Sequence, residues 1–160
     1  MKKFLISIDT EGDNLWQWDG KTSITTRNVD YLSRFQALCN RYGFKPTYLT
    51  NWEMISDPKF CELTKAWVSN GQCEIGMHLH AWNSPPYESL AAPKNAKPGL
   101  PYLIEYPDEV MDSKIDTMTE AIENNIGVRP ITHRAGRWAM DRRYFELLAS
   151  KGYLCDCSVT

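Results

Sequence analysis

Histidine is scarce in this chain, with only three in 160 residues. Long apolar runs are missing altogether, and nothing approaches the roughly 20 residues that a helix needs to cross a bilayer. There is no basic surplus either. Lys plus Arg number 18 against 20 Asp plus Glu, for a formal net charge of -2. Phosphate recognition needs excess cations on one face, so nucleic acid is excluded as the main partner. The five cysteines (Cys39, Cys61, Cys73, Cys155 and Cys157) are odd in number and scattered, which is no disulfide framework. The Cys155/Cys157 pair has no second pair at the spacing a structural zinc site requires. Reduced thiols in a cytoplasmic protein are the expectation. The apolar run at the start ends at Asp9, too early for a signal peptide, and no cleavage-like site follows. Repeats and low-complexity tracts are absent as well.

What is present is ordinary for one globular domain: 42% hydrophobic and 24% charged residues, in a length that can bury a core. Six Trp and eight Tyr offer flat rings for stacking, although most aromatics in a domain serve the core. Strand-like and helical segments alternate. Residues 3–9 read as a strand. Val29, Leu32, Phe35, Cys39 and Tyr42 recur every three or four positions and predict a helix over 26–42, stopped by Gly43. A strand at 45–50, a helix at 58–69 and a strand at 73–80 follow. Met111, Ile115, Met118, Ile122 and Ile126 mark a helix entered through Pro107-Asp108 and ended by Gly127. A strand at 130–134, a helix capped by Asp141 and a strand at 153–159 complete the pattern. Such βαβ units imply a parallel sheet. The fold class is therefore α/β, an incomplete or distorted (β/α) barrel with about five parallel strands. The chain stops after the fifth strand, so further chain or a second copy (a homo-oligomer) is expected to complete it. Residues 81–107, with six prolines, form one long loop directly after a histidine pair, as a rim over a site would.

Three segments carry chemistry. Asp9, Glu11 and Asp13 place three carboxylates in five positions at the end of the first strand, where parallel sheets bind ligands. A metal ion is a common way to hold such acids together, and a solvated acidic turn is the plainer alternative. Glu74-Ile75-Gly76-Met77-His78-Leu79-His80-Ala81-Trp82 ends the third strand. Histidines two apart on a strand share a face, which suits a tetrahedral zinc site. His133-Arg134-Ala135-Gly136-Arg137-Trp138 follows the fourth strand. There Arg134 can pair with Asp9 and orient it, while His133 reads as structural.

Together these segments resemble the NodB-type polysaccharide deacetylases, carbohydrate esterase family 4, from the first strand to the end of the chain. The resemblance implies Asp9 as the catalytic base and Glu11 as a metal ligand, with Asp13 the alternative. Glu74-Ile75-Gly76 and His78 match the family's second motif. Its second histidine belongs four positions after His78, where Trp82 stands. His80 is taken as the second histidine ligand from its chemistry. Arg134 and Trp138 resemble the arginine that orients the base and the aromatic wall beside it. The family's late Leu-x-His, which supplies the general acid, has no counterpart, since no histidine follows His133. The chain is thus expected to be a deacetylase-like domain lacking the last strands.

The reading is a hydrolase removing an N-acetyl or other acyl group from a carbohydrate. The cofactor is a divalent ion, zinc by preference, on Glu11, His78 and His80. Asp9 and Arg134 serve catalysis, and Trp82, Arg137 and Trp138 flank the substrate. Two alternatives stand beside it. One is a metal-free amide hydrolase on the same scaffold, acting on a small cyclic amide or ureide. The other is a non-catalytic carbohydrate-binding remnant. The amidohydrolases also use H-x-H, but on their first strand, which here carries acids.

Overall fold

The computed structural model describes residues 3–17, 22–87 and 100–159. Five strands are joined by helices: β1 (Ser7–Thr10), α1 (Val29–Arg41), β2 (Thr47–Thr50), α2 (Trp52–Ile55), α3 (Pro58–Ser69), β3 (Glu74–Leu79), α4 (Asp108–Ile126), β4 (Thr132–Ala135), α5 (Arg142–Ser150) and β5 (Cys155–Asp156). All four neighbouring pairs run parallel, and the sheet follows chain order β1-β2-β3-β4-β5. Sequential parallel order with a helix between strands is the pattern of a (β/α) barrel. Here the described residues form an open arc of one. The sheet is α/β as expected, not closed.

Strand alternation sorts the sheet into two faces. On the outer one, Tyr48, Ile75, Met77 and Leu79 pack with Met111, Ile115, Met118 and Ile122 of α4, all buried. Each such side chain contributes about 1.5–3 kcal/mol by leaving water. The 3.6-residue spacing of the α4 apolar positions made that helix legible. Its C-terminus stops at Gly127, which adopts the left-handed φ of 88° that a side chain would resist. At the N-terminus of α5, Asp141 accepts from the Tyr144 N–H at 2.9 Å, a side-chain cap. The inner face carries Asp9, His78 and Arg134. Gly76 sits between them because an added Cβ would lie 2.7 Å from both Leu49 Cδ2 and the Thr132 carbonyl.

The edge strands are shorter than expected. Residues 3–9 yield only Ser7–Thr10, and 153–159 only Cys155–Asp156. A strand needs a partner along its length. β2 begins at Thr47, opposite Ser7, so the apolar Phe4 and Leu5 stay outside the ladder and exposed. The rim loop expected over 81–107 has two described parts, of which 103–105 form a single helical turn; residues 88–99 lie outside the described residues.

Candidate metal centre

The carboxyl ends of β1 and β3 bring Glu11, His78 and His80 together. One ligand atom from each lies within 4.8 Å of the others. His80 Nε2 is 2.9 Å from Glu11 Oε2 and 3.1 Å from His78 Nε2. His78 Nε2 is 3.7 Å from the same carboxylate oxygen. The two imidazoles point to one side because they are two residues apart at the carboxyl end of β3, His80 being the residue just after it, while Met77 and Leu79 enter the core.

The His78 tautomer follows from its neighbour. Its Nδ1–H donates to the Arg134 carbonyl at 2.8 Å, which leaves the Nε2 lone pair facing Glu11 and His80. A backbone acceptor behind a ligating imidazole is the usual support of a metal site. Burial, then the adjacent His80, pushes the His78 imidazole down to about 4, so it stays neutral at ordinary pH, the form a metal needs. Burial alone would raise the Glu11 carboxyl. The His80 hydrogen bond, both imidazoles and the Trp16 N–H outweigh it and hold Glu11 below the usual carboxylate range. Two imidazole nitrogens and one carboxylate oxygen form a donor set that fits zinc.

Asp9 stands beside this cluster. Arg134 holds it, with Nη1 donating to Asp9 Oδ1 at 2.5 Å, Nη2 to Ser7 Oγ at 2.7 Å and Nε to the Cys157 carbonyl at 3.0 Å. With three donors on three fixed acceptors, the guanidinium is locked.

Asp13, the alternative to Glu11, lies apart from the cluster. Its carboxylate accepts from Thr25 Oγ1 at 2.9 Å and from the Arg27 N–H at 2.8 Å. It ties an exposed loop and is not among the three clustered candidate donors. Trp82 lies edge-on to His80, with ring centroids 5.9 Å apart. Arg137 lies 5.5 Å above the Trp16 ring and 5.9 Å from the Tyr102 ring. Arg137 and Trp138 both adopt left-handed φ, 58° and 52°, a strained backbone that persists only where the surroundings enforce it. Trp138 is exposed at the rim. His133 is structural: fully buried, bonded to Asp156 at 2.6 Å and Tyr144 at 2.7 Å. Burial keeps its imidazole below the ordinary value.

Sequence reasoning missed three residues. Trp16 donates Nε1–H to Glu11 Oε1 at 3.0 Å and meets His80 edge-on. Glu53 takes the Gly12 N–H at 3.2 Å, Asn51 Nδ2 at 2.5 Å and Asn83 Nδ2 at 2.8 Å, tying three loops together. Lys114 of α4 is buried and donates to the Ser84 and Pro86 carbonyls, both at 2.6 Å, pinning the loop after the histidines. Glu53 alone left a signal, since it follows the carboxyl end of a strand as Glu11 and His80 do. An isolated lysine in an apolar helix period carries none.

The open parallel arc is a fold shared with solved family 4 carbohydrate esterase domains. No family model matches the chain, and no curated protein does. Solved structures do. A Mycobacterium smegmatis protein described as a polysaccharide deacetylase aligns over 95% of this chain and 49% of its own, at 18% identity and TM-score 0.63. A family 4 acetyl xylan esterase from Clostridium thermocellum, in complex with a cobalt ion, aligns over 89% of this chain and 53% of its own, at 15% identity and TM-score 0.55. A family 4 pseudoenzyme from Bacillus anthracis aligns over 81% of this chain and 38% of its own, at 10% identity and TM-score 0.57. The chain therefore spans about half the length of these neighbours or less. At such identities the likeness establishes the fold.

Proposed function

We propose that this chain is the metal-binding part of a hydrolase that removes an N-acetyl or other acyl group from a carbohydrate. The observation that carries the reading is the Glu11, His78 and His80 cluster beside an Asp9 locked by Arg134. When bound, a divalent ion on those three side chains, zinc by donor type, supplies Lewis acidity to the acyl carbonyl and acidity to its water. Asp9, held by Arg134, would take the proton of the attacking water as general base. Arg134 fixes the direction of that carboxylate and, through its carbonyl, the His78 tautomer. Trp82, Arg137 and Trp138 flank the approach. Further strands outside these residues, in the same chain or a second copy, are proposed to complete the domain and supply the leaving-group acid. The carbohydrate reading draws support from the esterase and deacetylase neighbours.

A second reading is a non-catalytic relative, favoured by the commitment of His133 to Asp156 and Tyr144 and by a pseudoenzyme among the neighbours. Zinc content and acetate release from acetylated oligosaccharides separate the two. Stoichiometric zinc with acetate release supports the hydrolase. Stoichiometric zinc with no release from any acetylated glycan leaves the binding reading. Absence of metal after zinc loading sinks both metal assignments.

A further inference from the structure

We infer that Cys155 and Cys157 form a two-sulfur site for a soft, thiophilic cation of the Cu(I) class, separate from the Glu11, His78 and His80 cluster. The two thiols flank Asp156 of β5. Asp156 turns outward to His133 at 2.6 Å. The Cys157 N–H donates to the His133 carbonyl at 2.8 Å, which carries the ladder one residue past β5. Side chains alternate along a strand, so Cys155 and Cys157 both fall on the inner face, as Arg134 does.

Their sulfurs lie 4.0 Å apart. A disulfide needs about 2 Å. A metal–thiolate bond of about 2.3 Å lets one ion reach both sulfurs across 4.0 Å, at an angle of about 120°. Cys155 is exposed and Cys157 half-buried, so an ion can enter. Thiolates select soft cations such as Cu(I) and zinc over hard ones. Zinc in structural sites takes four ligands, and two sulfurs are half that set. Cu(I), a closed-shell monovalent ion, needs fewer. Its binding releases both thiol protons to solvent and leaves a bis-thiolate complex with one net negative charge. Burial, then Cys155, pushes the Cys157 thiol up, and the Arg134 guanidinium opposes them. That guanidinium donates through Nε to the Cys157 carbonyl at 3.0 Å, so its charge also offsets that of the complex.

Anaerobic titration of the reduced, metal-free full chain with Cu(I), against the chromophoric chelator bicinchoninate, tests this. The parent is expected to withdraw one Cu(I) per chain from the chelator. Cys155→Ser and Cys157→Ser should each weaken that binding by about a hundredfold or more, since each removes one of two donors. Cys61→Ser and Cys73→Ser, whose thiols belong to α3 and the approach to β3, should match the parent. So should Glu11→Gln, which removes a donor of the other cluster. Should Cys157→Ser fail to fold, Cys155→Ser, at an exposed position, carries the test. The inference is overturned if the chelator keeps the Cu(I), or if Cys155→Ser binds as the parent does. Loss of binding in Cys61→Ser, Cys73→Ser or Glu11→Gln would overturn it as well, by placing the ion elsewhere.

Discussion

His78 and Arg134 face each other across the β3–β4 register, and the imidazole Nδ1–H of the first donates to the carbonyl of the second at 2.8 Å. The same arginine grips Asp9 with its guanidinium. One residue therefore supports a candidate metal ligand through its backbone and the candidate base through its side chain. Asp9→Asn removes the proton acceptor and keeps the shape. Turnover is expected to fall by about 10²–10⁴-fold with zinc content unchanged by elemental analysis. Zinc loss equal to that of His78→Ala would make Asp9 a ligand.

Metal content distinguishes the two acids that follow Asp9. Glu11→Gln, His78→Ala and His80→Ala are each expected to weaken zinc binding at least about tenfold, since each removes one of three donors. Asp13→Asn should retain full zinc, because its carboxylate serves Thr25 and Arg27. Equilibrium dialysis against a zinc indicator measures both. A zinc deficit in Asp13→Asn with Glu11→Gln intact would reverse the assignment.

Gly136, the residue after β4, presses on the site. A Cβ there would lie 2.6 Å from the Leu79 carbonyl and 2.9 Å from His80 Nδ1, so the backbone and the His80 ring must move. Gly136→Ala is expected to cost about 1–3 kcal/mol of stability through overpacking and about tenfold or more in zinc affinity by turning His80. Chemical unfolding and zinc titration read the two effects. Unchanged zinc affinity would place His80 outside the coordination shell.

Two buried imidazoles set the pH response of the metal-free protein. His78 and His133 both sit below the unfolded value of about 6.5, His78 at about 4, with burial the main cause. Below pH 6.5 the unfolded chain takes up protons that the folded chain refuses, so folding stability falls as pH falls. His78 contributes on the order of 1 kcal/mol of loss by pH 5.5, and His133 adds loss in the same direction. The Tm in chelator is expected to drop between pH 7.5 and 5.5. A level Tm over that window would mean that both rings protonate in place.

The sequence by itself determined the alternation of strands and helices, and so the parallel sheet. Period-two and period-3.6 patterns report local burial, and α4 and β3 obey them cleanly. It also determined that Glu11, His78 and His80 were candidates, because strand ends in such sheets face one rim and residue types advertise their chemistry. Only the tertiary structure set Glu11 and Asp13 apart, since Thr25 and Arg27 draw the Asp13 carboxylate aside. It alone showed the Arg134 clamp on both sides, the Trp16 contact and the Glu53 tie between loops. Those are hydrogen bonds between residues up to 127 positions apart, and no local pattern encodes which distant donor a carboxylate will meet. The extent of β1 and β5 was likewise a tertiary matter, because a strand lasts only as long as its neighbour does.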